Sequence, residues 1–336
     1  MRSCGRRWAS TKACWPERRM SRVLVTGSTG FVGRELCSTL AAAGFTVRGV
    51  VRTEGRSPAD CAETVVVKNI DGATQWSPAL DGVESVVHLA AKAHVTRRST
   101  PSAEYIALNA NGTQALAAAS AAAGVRRFVY LSSVKVNGSS TTDRPFRADD
   151  EAQPDGPYGH SKWLAEKYLA QVSMRSRMEP VIVRPPLVYG PGVKANFRSL
   201  LTWVERGWPL PFAAIQNRRS LVSIWNLADL IVTILRHRGS AEGTWMVSDG
   251  NDLSTPALIE LIAAAMGRHP RLLPIPTNIL RTVGLLGALG GAIERLCGSL
   301  AIDMSRTRST FAWTPPVPVE EAISRTVSAY LREKLS

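Results

Sequence analysis

Cysteine is scarce in this chain of 336 residues, and its distribution follows no recognisable pattern. The chain has five cysteines: Cys4, Cys14, Cys37, Cys61 and Cys297. Their number is odd, and no two have the spacing of metal ligands, which argues against both a disulfide framework and a zinc site. We therefore expect no bound metal and a reducing compartment.

Apolar runs long enough to span a membrane are also missing. The apolar stretch Thr282–Ile293 is too short to cross a bilayer and ends at Glu294 and Arg295. We predict that it forms a buried or partly exposed helix. The N-terminus is basic but lacks the apolar core of a secretory signal. We therefore expect a cytoplasmic protein without a membrane span.

Acidic residues are outnumbered by basic ones, 27 to 41, which gives a formal net charge of +14. Residues 1–19 contribute about +5 of this charge, from six basic side chains against Glu17. The excess favours anionic ligands, among them nucleic acid, dinucleotides and nucleotide-sugars. No aromatic-basic module accompanies the charge, so we expect no specific binding of nucleic acid.

From residue 22 onward, short β-branched runs alternate with longer stretches rich in alanine and leucine. Strands are predicted at Val23–Thr26, Phe45–Val51, Thr64–Val67, Ser85–Leu89, Arg127–Ser132 and Pro180–Arg184. Helices are predicted at Phe31–Ala43, Ala103–Ala123, Tyr158–Val172, Leu227–His237 and Pro256–Met266. Apolar strands linked by helices predict an α/β fold with a doubly wound parallel sheet.

The chain divides into three predicted parts. Residues 1–20 are expected to be a basic tail outside the fold, disordered or not native, because Met20 directly precedes the first strand. Residues 21–184 are predicted to bind a dinucleotide. In residues 185–336 proline and glycine become frequent, and we expect a smaller, mainly substrate-binding part that partly returns to the sheet.

A glycine-rich turn follows the first predicted strand, in the sequence Thr26-Gly-Ser-Thr-Gly-Phe-Val-Gly33. Glycines permit a tight turn and let a pyrophosphate approach the backbone at the positive N-terminus of a helix. The strand and helix that flank the turn make it more specific than a glycine triplet alone. The turn supplies these predicted cofactor-binding residues: Gly27, Thr29, Gly30, Phe31, Val32 and Gly33.

The end of the second predicted strand bears on the choice of cofactor. An acidic residue there binds the ribose hydroxyls of NAD, whereas a basic residue suits the 2′-phosphate of NADP. This chain has Arg52 at that place. The cofactor is therefore predicted to be NAD or NADP, and Arg52 favours NADP.

Tyr158 and Lys162 are spaced to lie on one face of a helix, one turn apart. A nearby ammonium group lowers the pKa of a phenol, so that the phenol can exchange a proton with a substrate hydroxyl. Ser132 and Ser133, at the end of the preceding strand, are two candidates for a serine that binds the same oxygen. This arrangement predicts a catalytic site at the carboxyl edge of the sheet.

Several separate motifs together resemble the extended short-chain dehydrogenases/reductases of the nucleotide-sugar epimerase/dehydratase kind. Beyond the glycine turn, they are His88-Leu-Ala-Ala91, Asn109-Ala-Asn-Gly-Thr113, Ser132-Ser133, Pro157-Tyr158-Gly-His-Ser-Lys162 and Arg184-Pro-Pro-Leu-Val-Tyr-Gly-Pro191. The resemblance runs from about residue 22 to residue 330. It implies a Rossmann fold, a homodimer and hydride transfer at C4 of a nucleotide-diphospho sugar, most often UDP-linked.

The resemblance also implies roles for individual residues. Ser133 would be the catalytic serine beside Tyr158 and Lys162. Further cofactor contacts would come from Asn69, Ile70, Leu89, Ala90, Ala91, Lys92, Asn109, Pro185 and Leu187, with Tyr158 and Lys162 added. Substrate contacts would come from Lys92, Ser133, Lys135, Asn196, Phe197 and Arg219.

Departures from the family pattern narrow the expected reaction. Val134 and Lys135 stand where sugar dehydratases carry an acidic pair, so dehydration is disfavoured. A 4-epimerase of a UDP-hexose or UDP-N-acetylhexosamine is predicted, and the alternative is an NADPH-dependent reductase of a UDP-4-keto-6-deoxy sugar. A non-catalytic dinucleotide- or RNA-binding relative is a remote alternative.

Overall fold

A computed structural model describes residues 21–55, 58, 60–93, 102–286 and 290–335. The predicted basic tail, residues 1–20, lies outside these residues, as do Cys4 and Cys14. In the described part of the chain, no helix combines the length and the apolar character that crossing a membrane requires.

Seven parallel strands form the main sheet, in the order β3-β2-β1-β4-β5-β6-β9. Their bounds are β1 Arg22–Thr26, β2 Thr46–Val51, β3 Glu63–Val66, β4 Ser85–His88, β5 Arg127–Leu131, β6 Glu179–Arg184 and β9 Gly243–Met246. Strands β2 and β3 lie on one side of β1, and the later strands β4, β5, β6 and β9 lie on its other side. This topology confirms the predicted α/β fold with a doubly wound parallel sheet.

Helices cover both faces of this sheet. Those that precede β6 are α1 (Phe31–Ala42), α2 (Ser77–Leu80), α3 (Ser102–Tyr105), α4 (Gly112–Ala122) and α5 (Gly156–Ser173). On the face covered by α1, Val25, Val87 and Val129 are completely buried, and on the face covered by α2, α4 and α5, Leu24, Val86 and Phe128 are completely buried. Burial on both faces explains why the strands read as continuous apolar runs.

The predicted helix Ala103–Ala123 is interrupted in the structure. Residues Ile106–Asn111 form a π-helical segment between α3 and α4. A π-helical segment accommodates an extra residue and changes the direction of nearby side chains, and such segments are frequent at functional sites. Here it contains Asn109, whose side chain is described below.

The chain after β6 forms a second layer of structure beside the carboxyl edge of the sheet, and part of it returns to the core of the sheet. It contains the paired strands β7 (Leu187–Tyr189) and β8 (Leu221–Ser223), together with α6 (Ala195–Glu205), α7 (Ile224–Arg236), α8 (Thr255–Ala265), α9 (Thr277–Leu286), α10 (Gly290–Cys297), α11 (Ser305–Phe311) and α12 (Val319–Leu335). Helix α7 packs on α1, and β9 joins β6 at the edge of the main sheet. The apolar stretch predicted as one helix, Thr282–Ile293, falls across α9 and α10, and residues 287–289 lie outside the description.

Candidate active site

The three glycines of the turn between β1 and α1 are required by close backbone contacts. A Cβ atom on Gly33 would lie 2.1 Å from the carbonyl oxygen of Gly27, and one on Gly27 would lie 3.0 Å from the amide nitrogen of Ala90. Gly27 also has a positive φ of 69°. The turn thus leaves bare backbone in front of the N-terminus of α1, where an anion is favoured. These residues fit the pyrophosphate of a dinucleotide.

A cleft of about 1160 Å³ opens beside this turn, at the carboxyl edge of the sheet. Most of the predicted site residues line it: Gly27, Thr29, Gly30, Phe31, Val32, Gly33, Arg52, Ile70, Leu89, Ala90, Ala91, Tyr158, Lys162, Leu187, Asn196 and Phe197. The cleft is large enough for a dinucleotide together with a second ligand, since small-molecule sites commonly measure about 300–1000 Å³.

The far end of the cleft is bounded by the carboxyl end of β2. Arg52 is exposed there and contributes to the cleft wall. Ile70 lines the cleft as well, whereas Asn69 is exposed and is not among its lining residues. The guanidinium group of Arg52 can therefore reach a ligand in this part of the cleft, and the predicted contact of Asn69 stays a prediction.

Tyr158 and Lys162 both lie on the cleft wall, on one face of α5. Lys162 is buried, and its Nζ donates a 2.8 Å hydrogen bond to the carbonyl oxygen of Leu131. Burial lowers the pKa of Lys162 to about 7, against an opposing effect of the Glu166 carboxylate. A lysine with this pKa is only partly charged at neutral pH.

Burial also raises the pKa of the Tyr158 phenol to about 12. A hydrogen bond with the Ser133 hydroxyl acts in the opposite direction. Ser133 accepts a 3.2 Å hydrogen bond from the backbone N–H of Lys135, which leaves its hydroxyl proton available for donation. Ser133 can therefore stabilise an oxyanion on Tyr158 or on a substrate in the cleft.

Ser132, the other candidate serine, has a different function in the structure. Its hydroxyl donates a 2.5 Å hydrogen bond to the Glu166 carboxylate. The same carboxylate forms a two-point ion pair with Arg184, with distances of 3.0 and 2.6 Å, and Arg184 also donates to the Asn137 side chain. Ser132 lines the cleft, but its hydroxyl is bound into this buried polar network, whereas Ser133 is half-buried beside Tyr158 and is not among the residues that line the cleft.

Lys92 and Asn109 lie behind the cleft wall and hold each other in place. The Asn109 side chain accepts a 2.8 Å hydrogen bond from the Lys92 amide and donates to the Lys92 carbonyl and to the Ser161 hydroxyl. The Lys92 ammonium group pairs with Glu104. The amide of Asn109 thus fixes the backbone that follows β4, and its predicted contact with the cofactor remains untested.

Three other predicted residues also fall outside the residues that line the cleft. Pro185 is buried beside Leu187, and the Lys135 ammonium group lies 2.6 Å from the Asp155 carboxylate. Nη1 of Arg219 donates to the backbone carbonyls of Arg295 and Gly298. In this structure Arg219 thus secures the end of α10, and its predicted contact with a phosphate has not been tested.

Sequence reasoning missed two basic residues at the substrate end of the cleft, Lys194 and Arg295. Lys194 precedes α6, and Arg295 lies in α10, a region to which the sequence pattern assigned no chemistry. No local signal marks either residue, because their positions depend on how α6 and α10 pack against the sheet edge. Both can attract the diphosphate of a ligand.

Comparison with known proteins supports a dinucleotide-dependent enzyme. The profile of the NAD dependent epimerase/dehydratase family matches residues 23–247. The chain is 41% identical, over 325 residues, to a UDP-glucose 4-epimerase of Vibrio cholerae, covering 95% of this chain and 98% of that protein. It is 26% identical over 322 residues to the N-acetyl-α-D-glucosaminyl-diphospho-ditrans,octacis-undecaprenol 4-epimerase of Escherichia coli O157:H7, covering 91% of this chain and 94% of that protein.

A solved structure has the same fold. MoeE5 in complex with UDP-glucose and NAD superposes with a TM-score of 0.76 at 23% identity, covering 94% of this chain and all of that chain (100%).

Proposed function

Since this chain belongs to the NAD dependent epimerase/dehydratase family, we propose that it is a 4-epimerase of a UDP-linked hexose or N-acetylhexosamine. The observation that carries the proposal is the position of Tyr158 and Lys162 on the wall of the cleft that contains the glycine turn, which places a proton-transferring phenol beside the dinucleotide site. The Vibrio cholerae relative is named for the UDP-glucose reaction, and MoeE5 binds UDP-glucose together with NAD.

Some residues of the cleft bind the two ligands, and others take part in proton transfer. The glycine turn binds the dinucleotide pyrophosphate, and Lys194 and Arg295 attract the diphosphate of the sugar nucleotide. The dinucleotide, when bound, supplies the acceptor and donor of the hydride at C4. Tyr158 takes the proton of the C4 hydroxyl and later returns it, while Ser133 donates a hydrogen bond to the sugar oxygen.

Lys162 supports this proton transfer by its charge. Its ammonium group lies 6.0 Å from the ring centroid of Tyr158 and 4.6 Å from that of Tyr130. A positive charge at this distance favours the phenolate form of Tyr158 and so opposes the effect of burial. A pKa of about 7 for Lys162 means that modest electrostatic changes on ligand binding alter its degree of protonation.

The experiment that tests the proposal combines a substrate panel with one variant. The purified chain is offered UDP-glucose, UDP-N-acetylglucosamine, a UDP-4-keto-6-deoxy sugar and N-acetylglucosamine linked through diphosphate to undecaprenol. We expect C4 interconversion of at least one of the first two without net consumption of cofactor. Tyr158→Phe should lower kcat at least about 100-fold, whereas Tyr168→Phe, on the same helix, should leave kcat unchanged.

Other outcomes would redirect the proposal. If NADPH is oxidised with the keto sugar and with no other compound of the panel, the chain is a reductase of the 4-keto sugar. Interconversion of the undecaprenol-linked sugar alone would exclude nucleotide-sugars as the substrate. Full activity of Tyr158→Phe would remove the assigned proton-transfer group.

We further propose that Arg52 allows the cleft to accept NADP as well as NAD. Its exposed guanidinium group lies at the end of β2, where a 2′-phosphate can be bound by two hydrogen bonds. Arg52→Asp should weaken NADP binding at least about tenfold relative to NAD, measured by calorimetric titration of each cofactor. Unchanged relative affinities would argue against this role, and Arg175→Asp, which changes an exposed arginine after α5 and away from the cleft, serves as the control for net charge.

A further inference from the structure

Two adjacent segments of the second layer carry exposed apolar and exposed basic side chains. Six large apolar side chains are exposed among the described residues, and three of them, Trp208, Leu273 and Ile279, belong to two neighbouring segments. Their exposed fractions are 47%, 45% and 51%. The same segments carry four exposed arginines, Arg206, Arg268, Arg271 and Arg281. We call these seven side chains the basic apolar face.

Backbone hydrogen bonds hold the two segments side by side. The amide of Leu210 donates to the carbonyl of Arg271 at 2.8 Å, and the amide of Leu273 donates to the carbonyl of Leu210 at 2.9 Å. The second segment then continues into α9, where the amide of Ile279 donates to the carbonyl of Pro276. The exposed apolar residues therefore belong to one connected structure.

Few acidic residues lie near the basic apolar face in the sequence, and Glu205 directly precedes Arg206. Neither residues 206–228 nor residues 266–293 include an aspartate or a glutamate. The Arg206 guanidinium lies 5.0 Å from the centroid of the Trp208 ring, and the Arg281 side chain pairs with Glu294 of α10 at 3.4 Å. In the part of the chain that the structure describes, Arg206, Arg268 and Arg271 form no ion pair with a carboxylate, although the pKa of Glu205, which is lowered mainly by its hydrogen bond with Lys334, is lowered further by the charge of Arg268. The guanidinium groups of these three arginines can therefore bind an external anionic partner.

We propose that the basic apolar face docks on an anionic lipid surface. Arginine binds lipid phosphates while its aliphatic part lies along apolar surface, and tryptophan and aliphatic side chains enter the boundary between headgroups and acyl chains. A polyanion without an apolar layer would use the arginines but would leave Leu273 and Ile279 in water. The combination of charge with exposed apolar groups therefore fits lipid better than nucleic acid.

The basic apolar face is connected to the cleft by α6 and α10. Helix α6 begins beside Asn196 on the cleft wall and ends next to Arg206, which is about 15 Å away along the helix axis. On the other side, Glu294 pairs with Arg281 and is followed directly by Arg295 of the cleft wall. Docking would therefore hold the substrate end of the cleft about one helix length from the lipid headgroups.

Flotation of the full chain with vesicles tests the proposal. The vesicles are phosphatidylcholine with and without phosphatidylglycerol, at physiological salt. We expect binding only when phosphatidylglycerol is present. The combined variant Arg268→Glu, Arg271→Glu and Ile279→Asp should lower the partition coefficient at least about 30-fold, since each basic residue near such a surface contributes about 1 kcal/mol.

A matched control separates this face from the general positive charge of the chain. Arg175→Glu, Arg177→Glu and Met174→Asp make the same three kinds of change at exposed residues after α5, where Met174 is 83% exposed. This variant should bind within about threefold of the unchanged protein. The melting temperature of each variant, followed by circular dichroism, shows that it remains folded.

Three results would overturn the proposal. One is absence of binding to the phosphatidylglycerol vesicles, and another is an equal loss of binding in both variants. The third is that the substitutions of Arg268, Arg271 and Ile279 weaken the binding of nucleic acid or of another protein more than they weaken the binding of vesicles. None of these measurements involves the sugar substrate, so the proposed epimerase reaction is tested separately.

Discussion

The buried side chain of His88 connects three elements behind the glycine turn. His88 is the first residue of the His88-Leu-Ala-Ala91 motif, and the three residues that follow it line the cleft. Its Nδ1 lies 2.6 Å from the Thr26 hydroxyl, and its Nε2 lies 3.0 Å from the Thr113 hydroxyl. Because Thr113 donates its own proton to the Asn109 carbonyl, Nε2 of His88 must carry the proton of the neutral ring. The imidazole thus joins β1, β4 and α4, and it remains neutral.

This environment predicts a pH dependence of stability. Burial, and to a smaller extent the Lys162 charge, lowers the pKa of His88 to about 3 from an ordinary value of 6.5. Between pH 3 and 6.5 the unfolded chain binds a proton at His88 that the folded chain does not, so the free energy of unfolding falls as the pH falls through this window. In His88→Asn this fall should be shallower by about 1.4 kcal/mol per pH unit, as measured by urea denaturation at pH 7 and pH 5.

The exposed His160 supplies the control for this experiment. His160→Asn should leave the pH dependence as it is in the unchanged protein. If His88→Asn showed the same pH dependence as the unchanged protein, the buried neutral imidazole could not be the cause.

At the scale of elements, one face of helix α5 carries residues that line the cleft and, further along the helix, a residue that is bound in the core. Tyr158, Lys162 and Glu166 follow one another at intervals of four residues, so they form a row along the helix. The first two residues line the cleft, and Glu166 lies deeper, where it pairs with Arg184 of β6 and accepts a hydrogen bond from Ser132. The Tyr158–Lys162 pair is thus positioned by an ion pair that fixes α5 against the sheet.

Removing one partner of this ion pair should be strongly destabilising. Both side chains of the Glu166–Arg184 pair are only 7% exposed, so Glu166→Ala would leave a buried guanidinium without its counter-charge. We expect the free energy of unfolding to fall by about 3–5 kcal/mol. Glu321→Ala, which breaks the exposed pair with Arg325 on α12, should cost less than about 1 kcal/mol in the same urea titration. Similar losses in both variants would contradict the positioning role of Glu166.

For the whole molecule, the cleft is shared between the sheet and the second layer. The glycine turn and Tyr158 come from the first part of the chain, whereas Lys194, Phe197 and Arg295 come from the second. A ligand that fills the cleft therefore contacts both parts and stabilises their packing. Cofactor binding should raise the melting temperature of the entire chain.

The expected size of this effect follows from linkage. At a concentration of NAD about 100 times its Kd, binding contributes about 2.7 kcal/mol, which corresponds to an increase of roughly 4 °C for a protein of this size. Gly33→Ala should abolish the increase, because its Cβ would lie 2.1 Å from the Gly27 oxygen. Gly72→Ala, whose Cβ would make an ordinary 3.6 Å contact, should retain it. An increase of the same size in Gly33→Ala, measured by differential scanning calorimetry, would place the cofactor elsewhere.

Predictions from the sequence succeeded where the chemistry depends on residues that are close along the chain. The tight turn of Gly27, Gly30 and Gly33 and the one-turn spacing of Tyr158 and Lys162 are local properties, and the structure brings both to one cleft. The alternation of apolar strands with helices also predicted the parallel sheet, since burial on both faces requires that pattern.

Tertiary structure alone decided the assignments that depend on contacts between distant segments. The resemblance in sequence already implied Ser133 as the catalytic serine, but the contact that occupies the Ser132 hydroxyl, its hydrogen bond to Glu166, arises only from the packing of α5 beside the sheet. Arg295 reaches the cleft because α10 packs beside it. Backbone geometry fixes which neighbours along the chain can meet, so the sequence by itself determined the parallel sheet, the glycine turn and the Tyr158–Lys162 pair. Which side chains from separate elements meet depends on how those elements pack, and that packing decided the hydrogen bond of Ser132 with Glu166, the basic residues of the cleft and the basic apolar face.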